Sequence, residues 1–353
     1  MSHKVTERQN SILCLFKINQ GYKISDLEKA YSTNADTISL STLKRDLQAL
    51  VSHCYITMVG QKRATLYKIS PIGILKRYFG PEYLNTEITK RNALTEYNYQ
   101  TFDYLTAAEI FTDKEIEKLT TATKIFHDNA RLKNSSIEKK ELERFVIELS
   151  WKSSKIEGNT YTLLDTEFLI REGIESKTNT KEEATMILNH KAAFSYILEL
   201  RKEKKNIFTL RELENIHRLL VEGLEIDHGI RRSAVGITGS AYKPLSYDVQ
   251  IKEELHKLLQ AIKTIKNPYT RGLCAVLGIA YLQPFNDGNK RTARLFSNAI
   301  LLFAELSPLS YRTVDEKKYR EATLIFYEQN SIENMKEIFI EQYIFAAHNY
   351  NIG

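Results

Sequence analysis

Gln283-Pro284-Phe285-Asn286-Asp287-Gly288-Asn289-Lys290-Arg291-Thr292-Ala293-Arg294 is the stretch on which the reading of this chain turns. An apolar run at 273–282 precedes it and another at 292–306 follows, so it reads as a Pro- and Gly-containing loop between two apolar helices. Gly288-Asn289 lets main-chain N–H groups converge where the second helix begins, and a helix start favours an anion. Lys290, Arg291 and Arg294 add positive charge, and Arg291 and Arg294, three apart, share a helix face. Asp287 supplies a hard carboxylate suited to Mg²⁺ beside phosphates. Together these residues describe a cradle for nucleotide phosphates. It is not a P-loop, because no Gly-x-x-x-x-Gly precedes the lysine. A basic helix start after a glycine turn is the plainer reading, and it leaves so many phosphate-suited groups unexplained.

The rest of the chain sets the frame. Its 353 residues are 42% hydrophobic and 27% charged, ordinary globular material long enough for two or three domains. Only 6 Pro and 14 Gly favour long helices over a turn-rich β fold. No apolar run reaches the roughly 18 residues of a membrane span, and residues 1–8 are polar, without a secretory apolar region. The expectation is a cytoplasmic protein with no membrane partner. Cys14, Cys54 and Cys274 have no disulfide or zinc spacing. Asn134-Ser135-Ser136 fits a glycosylation acceptor, which without a secretory leader carries no weight.

The net charge of +6 is unevenly placed. Residues 1–80 hold 12 Lys/Arg against 5 Asp/Glu, and the remainder 38 against 39. An anionic partner is therefore expected at one end, or else a solvated basic face. Within this end, residues 11–18, 24–31 and 43–51 read as helices, the last with an apolar stripe of Leu43, Leu47 and Leu50 and an N-cap at Ser41-Thr42. Residues 56–59 and 64–69 flank Gly60-Gln61-Lys62-Arg63 as a hairpin. Three helices and a basic-tipped hairpin resemble a winged helix-turn-helix, in which the third helix enters the major groove and the wing touches phosphate. The candidate DNA contacts are Ser41, Thr42, Lys44, Arg45 and Gln48 on the helix and Lys62 and Arg63 on the wing. Glu28 and Asp46 dilute this basic face, and a protein-interaction role is the alternative. Residues 81–140 read as a helical connector, with a capping box at Thr112-Asp113-Lys114-Glu115 opening a helix to about Phe126.

The loop resembles the Fic family motif, His-x-Phe-x-(Asp/Glu)-Gly-Asn-(Gly/Lys)-Arg-x-x-Arg, and departs from it only at the first position, Gln283. Two more features stand in the family's order. Gly229-Ile230-Arg231 through Val235-Gly236-Ile237 and Pro244 looks like the flap, a short hairpin at about 231–246 that aligns a target segment. Ser153-Ser154-Lys155-Ile156-Glu157-Gly158 fits the inhibitory pattern (Ser/Thr)-x-x-x-Glu-(Gly/Asn) on a helix at about 141–158. Read alone, Glu157 is an ordinary helix-end carboxylate. The implied fold is mainly α: a winged-helix domain at 1–80, the connector at 81–140, and an all-helical Fic domain at 141–353 with a small β-hairpin flap.

The resemblance implies transfer of AMP from ATP with Mg²⁺ to a Ser, Thr or Tyr hydroxyl of a protein, the chain itself included, and a homodimer. Asp287 would hold the metal, and Gly288, Asn289, Lys290, Arg291 and Arg294 the nucleotide. Val235, Gly236 and Ile237 would bind the target. Glu157, with Ser153, would pair with Arg294 and block productive ATP placement, since both anions want one guanidinium fork. Gln283 stands where the family's His takes the proton, and an amide cannot do so, which removes a group typically worth ~10²–10⁴ in rate. Lys290 is shared with a branch resembling a kinase, so phosphate transfer stays open, as does removal of AMP. The rival reading is a catalytically inactive, nucleotide-sensing, DNA-binding transcriptional regulator. No Gly-x-Ser-x-Gly supports a hydrolase. His190, on a helix at 180–200, reads as packing or surface, and His228 and His256 are nearest the motif in sequence.

Overall fold

With few prolines and glycines to interrupt them, long segments are free to become helices, and the structure, a computed structural model, is mainly helical. It describes residues 5–34, 37–131, 135–350 and 352, without the side chains of Asn34, Arg63, Ala130, Arg131, Ser135 and Ser136. Asn134 of the glycosylation pattern and the side chain of Arg63, the expected wing contact, thus lie outside what is described.

The basic end is built from α1 (Glu7–Cys14), β1 (Gly21–Tyr22), α2 (Ile24–Asn34), α3 (Leu40–Ser52), β2 (Ile56–Val59) and β3 (Leu66–Ile69). The strands form one antiparallel sheet in the order β1-β3-β2, with Ile56 opposite Ile69 and Gly21 opposite Lys68. The first helix begins four residues before the expected start, because Thr6 and Gln9 form a capping box there. The third is capped by Ser39, whose hydroxyl accepts from the Thr42 amide at 3.2 Å, and not by Ser41-Thr42. Its inner face buries Leu43, Leu47 and Leu50. Asp46 belongs to that inner face and pairs with Arg8, so it does not dilute the outer one. Ser41, Lys44, Arg45 and Gln48 are exposed and Thr42 half-buried. Between β2 and β3 the chain turns at Gly60 (φ +90°), where a Cβ would meet the Ala64 carbonyl at 2.6 Å, and then makes a 3-10 turn at Lys62–Ala64.

After it come α4 (Pro71–Leu75), α5 (Pro81–Asn85), α6 (Thr101–Ala107) and α7 (Asp113–Arg131). The expected capping box opens α7: the Thr112 amide donates to Glu115 at 2.7 Å and the Glu115 amide to Thr112 at 3.3 Å. The helix runs past Phe126 to Arg131. The remaining helices are α8 (Ser135–Ile156), α9 (Leu163–Glu172), α10 (Lys181–Lys202), α11 (Leu210–Val221), α12 (Asp248–Thr264), α13 (Pro268–Leu282), α14 (Asn289–Phe303), α15 (Glu316–Gln329) and α16 (Glu333–Asn349).

α13 is buried on every side from Leu273 to Leu282, which marks it as the central helix. It pairs with α14, and α8, α10, α11, α12 and α15 surround the pair. The two ends of the chain are joined by Arg77. Fully buried, it donates to the Phe16 carbonyl at 3.0 Å and to the Gln329 carbonyl, at the end of α15, at 2.7 Å. The Ile332 amide also donates to the Leu75 carbonyl at 2.9 Å.

The flap differs from the expected hairpin. Residues 231–246 contain no mutually paired strands. Their hydrogen-bonding groups are used elsewhere: the Arg231 guanidinium donates to the Ser233 and Leu245 carbonyls, and the Lys243 amide donates to the Thr95 carbonyl at 3.0 Å. With those groups engaged, no cross-strand ladder forms. Val235 and Ile237 are half-buried and Gly236 is exposed.

Candidate nucleotide site

α13 stops at Leu282 because Gln283 takes the left-handed conformation (φ 51°, ψ 58°), unfavourable for a residue with a side chain. Hydrogen bonds on every polar atom hold it there. Its carbonyl accepts from Arg231 Nε at 2.6 Å. Its Nε2 donates to the Ala280 carbonyl at 2.6 Å and to the Tyr327 hydroxyl at 3.1 Å, and its Oε1 accepts from Asn289 Nδ2 at 3.0 Å. Asn289 also staples the loop across itself, accepting from the Phe285 amide and donating to the Phe285 carbonyl, both at 2.8 Å.

Beneath the loop lies a residue that sequence reading passed over. His217 of α11 stacks on Phe285 with ring centroids 3.7 Å apart and 8° between planes. Its Nε2 is 3.0 Å from the Asp287 carbonyl, so Nε2 carries the proton. Burial pushes its pKa down to about 4, which keeps the ring neutral at physiological pH. The signal was present in the spacing of Leu213, Ile216, His217 and Leu220, an inward-facing stripe. His228 and His256, nearer the motif in sequence, are exposed. Gly288, the N-cap of α14 at φ 77°, sits against Val221 and His217; a Cβ there would meet Val221 Cγ1 at 3.2 Å.

The charged groups of the motif divide into two sets. At the mouth, the Asp287 side chain is 70% exposed, and its Oδ2 lies 3.4 Å from Nη2 of the buried Arg291. Deeper in, three residues form a clamp. Glu157 follows directly on the end of α8. Its Oε1 is 2.9 Å from Arg294 Nη2 and its Oε2 is 2.7 Å from Lys290 Nζ. Arg294 is fully buried and also donates through Nε to Ser153 Oγ and through Nη2 to the Ser153 carbonyl, each at 2.9 Å. Burial alone would raise the Glu157 pKa; Arg294 first, then Lys290, hold it at about 2. Burial likewise opposes the charge on Arg294, and Glu157 outweighs it, raising that pKa above its ordinary value. Arg320 secures the end of α8 by donating through Nε to the Ile156 carbonyl at 2.8 Å. The helix spans 135–156, so Glu157 lies just outside it and not within the 141–158 expected.

Loop, Ser153 and Glu157 are thus brought together, and Lys290 acquires a role the sequence did not suggest, as the second cation on Glu157. The flap runs beside the loop, with the Arg231 amide donating to the Pro284 carbonyl at 3.0 Å. His190 is fully buried, contrary to a surface placement, and lies 2.8 Å from Ser153 Oγ. The basic helix α3 and its turn lie in the N-terminal unit, apart from this loop. As a metal ligand Asp287 stands alone: among the described residues no group of three His, Cys, Asp or Glu converges. A single exposed carboxylate has the hard oxygen chemistry of a ligand that Mg²⁺ shares with substrate phosphates, and does not make a protein-only cage.

Residues 207–301, from before α11 to near the end of α14, match the Fic/DOC family. The chain carries a Fic domain. Similar proteins include one named protein adenylyltransferase Fic from Nematostella vectensis, 28% identical over 172 residues, which cover 48% of this chain and 40% of that protein. Another of that name, from Aedes aegypti, is 27% identical over 190 residues, covering 53% and 38%. The chain therefore spans about two fifths of the length of these relatives. Among solved structures, Fic-1 from C. elegans superposes with a TM-score of 0.56 at 17% identity, over 66% of this chain and 70% of that one. A Fic family protein from Desulfovibrio desulfuricans G20 does so with 0.56 at 20% identity, over 67% and 74%. These likenesses establish the helical Fic fold, and the described helices include none long and apolar enough to cross a membrane.

Proposed function

We propose that this Fic domain binds ATP in the 287–294 loop, that Glu157 gates this binding, and that the site transfers AMP to a protein Ser, Thr or Tyr hydroxyl at a rate limited by Gln283. The observation that carries the reading is the clamp: one carboxylate occupies the two cations, Lys290 and Arg294, that a triphosphate needs. The relatives named adenylyltransferases support the reaction class. On this reading the first-turn amides of α14 and Asn289 cradle phosphate, and Lys290 and Arg294 turn to it once Glu157 leaves. Asp287 would hold Mg²⁺, which when bound neutralises phosphate charge. Gln283, neutral and fully hydrogen-bonded, orients the loop but removes no proton from the attacking hydroxyl.

The test is incorporation of label from α-labelled ATP into protein by the Glu157→Gly variant with and without Gln283→His. The double variant should label target or itself ~10²–10⁴ times faster than Glu157→Gly alone. A double variant that binds ATP and labels nothing refutes the transferase reading.

A second reading is favoured by one observation. The Gln283 amide is consumed by Ala280, Tyr327 and Asn289, a finished structural arrangement rather than a damaged catalytic one. In that reading the chain is a nucleotide-sensing regulator whose N-terminal unit, a winged helix, binds DNA through Ser41, Thr42, Lys44, Arg45, Gln48, Lys62 and Arg63. Arg77, tying that unit to the end of α15, supports a link between the two ends. DNA affinity unchanged across an ATP titration removes this reading.

A further inference from the structure

Buried deep behind the clamp, His190 serves no part of the function proposed so far. It lies on the inward stripe of α10 with Ile187, Phe194 and Ile197, where an apolar side chain would suffice. A buried imidazole needs partners for both nitrogens, and the structure supplies them with a defined polarity. Nδ1 is 3.2 Å from the Met186 carbonyl, which can only accept, so Nδ1 carries the proton. Nε2 is therefore an acceptor, and the group 2.8 Å away, Ser153 Oγ, must donate to it. With its hydrogen committed to His190, Ser153 Oγ faces Arg294 with lone pairs and accepts from Arg294 Nε at 2.9 Å. The chain runs one way only, from Arg294 to Ser153 to His190 to Met186. Burial first, then the charges of Arg291 and Arg294, keep the ring neutral.

We propose that His190 is a positioning residue of the clamp: by fixing the Ser153 hydroxyl as an acceptor it holds the Arg294 guanidinium against Glu157 and so sets how firmly the nucleotide site is closed. Without an acceptor at Nε2, the Ser153 hydroxyl is free to turn its hydrogen toward other groups, including the guanidinium it now receives. The inference rests on the reading that Glu157 competes with ATP.

The experiment measures ATP affinity by calorimetry on the full chain carrying Glu157 or Glu157→Gly, each with His190, His190→Asn or His190→Gln. Asparagine keeps a donor near Nδ1 and withdraws the Nε2 acceptor; glutamine reaches the Nε2 position. With Glu157 present, His190→Asn should tighten ATP binding about fivefold, the factor expected for the loss of one neutral hydrogen bond, that from Ser153 to His190. His190→Gln should retain the parent affinity. On Glu157→Gly, His190→Asn should bring no tightening. An effect of the same size and sign with and without Glu157 overturns the inference, because a merely structural histidine would act that way. If Glu157→Gly itself leaves ATP affinity unchanged, the competition reading falls and this inference with it, a distinguishable outcome. Ser153→Ala covers poor folding of the histidine variants: it should reproduce the tightening with Glu157 and not without it, and failure to do so is equally fatal.

Discussion

Replacing Glu157 by glycine is the perturbation with the largest expected effect on ligand binding. Glu157 lies 2.9 Å from Arg294, which is fully buried, and 2.7 Å from Lys290, whose side chain is 37% exposed. Its carboxyl is held at about 2 against an ordinary 4.5. At about 1.36 kcal/mol per tenfold change in acidity, that is roughly 3 kcal/mol of net interaction with its surroundings. A triphosphate that must break this contact loses the same amount, so Glu157→Gly should bind ATP about 100-fold more tightly. Without nucleotide the variant should be less stable than the parent, because Arg294 is left a buried charge without its carboxylate, and ATP should restore most of the loss. Titration calorimetry at neutral pH gives the affinity ratio, and thermal unfolding with and without ATP gives the second effect. An affinity ratio below about threefold would refute the reasoning, since it is far smaller than the contact energy. The pH dependence has a definite sign. A carboxyl whose folded pKa is depressed contributes its full stabilisation above its ordinary 4.5 and loses it as pH falls toward about 2. The affinity ratio of the two proteins should be flat from pH 6 to 9 and shrink only below 4.5, over the range in which circular dichroism shows both still folded.

Other expectations concern the loop, the basic end and the joint between them. Gly288→Ala forces a Cβ at φ 77° and 3.2 Å from Val221 Cγ1, which should cost about 1–2 kcal/mol of stability in denaturant unfolding and weaken ATP binding through the distorted α14 start; an unchanged affinity contradicts the cradle. Lys44→Ala with Arg45→Ala should weaken binding to duplex DNA and reduce the slope of log affinity against log salt by about two, read by anisotropy; an unaltered slope removes this face from the DNA contacts. Arg77→Leu leaves the Phe16 and Gln329 carbonyls without their donor and should cost about 3 kcal/mol, detectable as a lower urea midpoint and faster proteolysis between the N-terminal unit and the Fic domain.

Much of the architecture follows from patterns of short range. A shortage of proline and glycine, the all-apolar run 273–282 and the Gly288-Asn289 turn announce a central helical hairpin with a phosphate-suited loop, and residues 283–294 carry the family resemblance together with the segments 229–244 and 153–158. Capping chemistry is equally local: the expected box forms at Thr112-Glu115, the first helix starts at a box of Thr6 and Gln9 that its apolar pattern does not announce, and the third is capped by Ser39 rather than Ser41-Thr42, because neighbouring hydroxyls are indistinguishable until the side-chain bond forms. The flap is expected as a hairpin only because the family resemblance implies one. Whether a ladder forms depends on competing partners, and here Arg231 and Thr95 take them.

The sequence by itself determined which chemical groups this protein owns: a run of helix-start amides and cations suited to phosphate, a carboxylate of the type that binds hard metals, an amide at Gln283 where the resemblance leads one to expect a base, and a carboxylate at Glu157 fit to oppose the cations. Tertiary structure alone decided how they are spent. It brought Glu157 between Lys290 and Arg294 across more than 130 positions of chain, set His217 under the loop, and threaded His190 through Ser153 to the guanidinium. The reason is physical. Spacing along a helix reports only which face a residue occupies. Which groups meet, in what protonation state and with which hydrogen bonds left open, is set by burial and by the packing of helices distant in sequence.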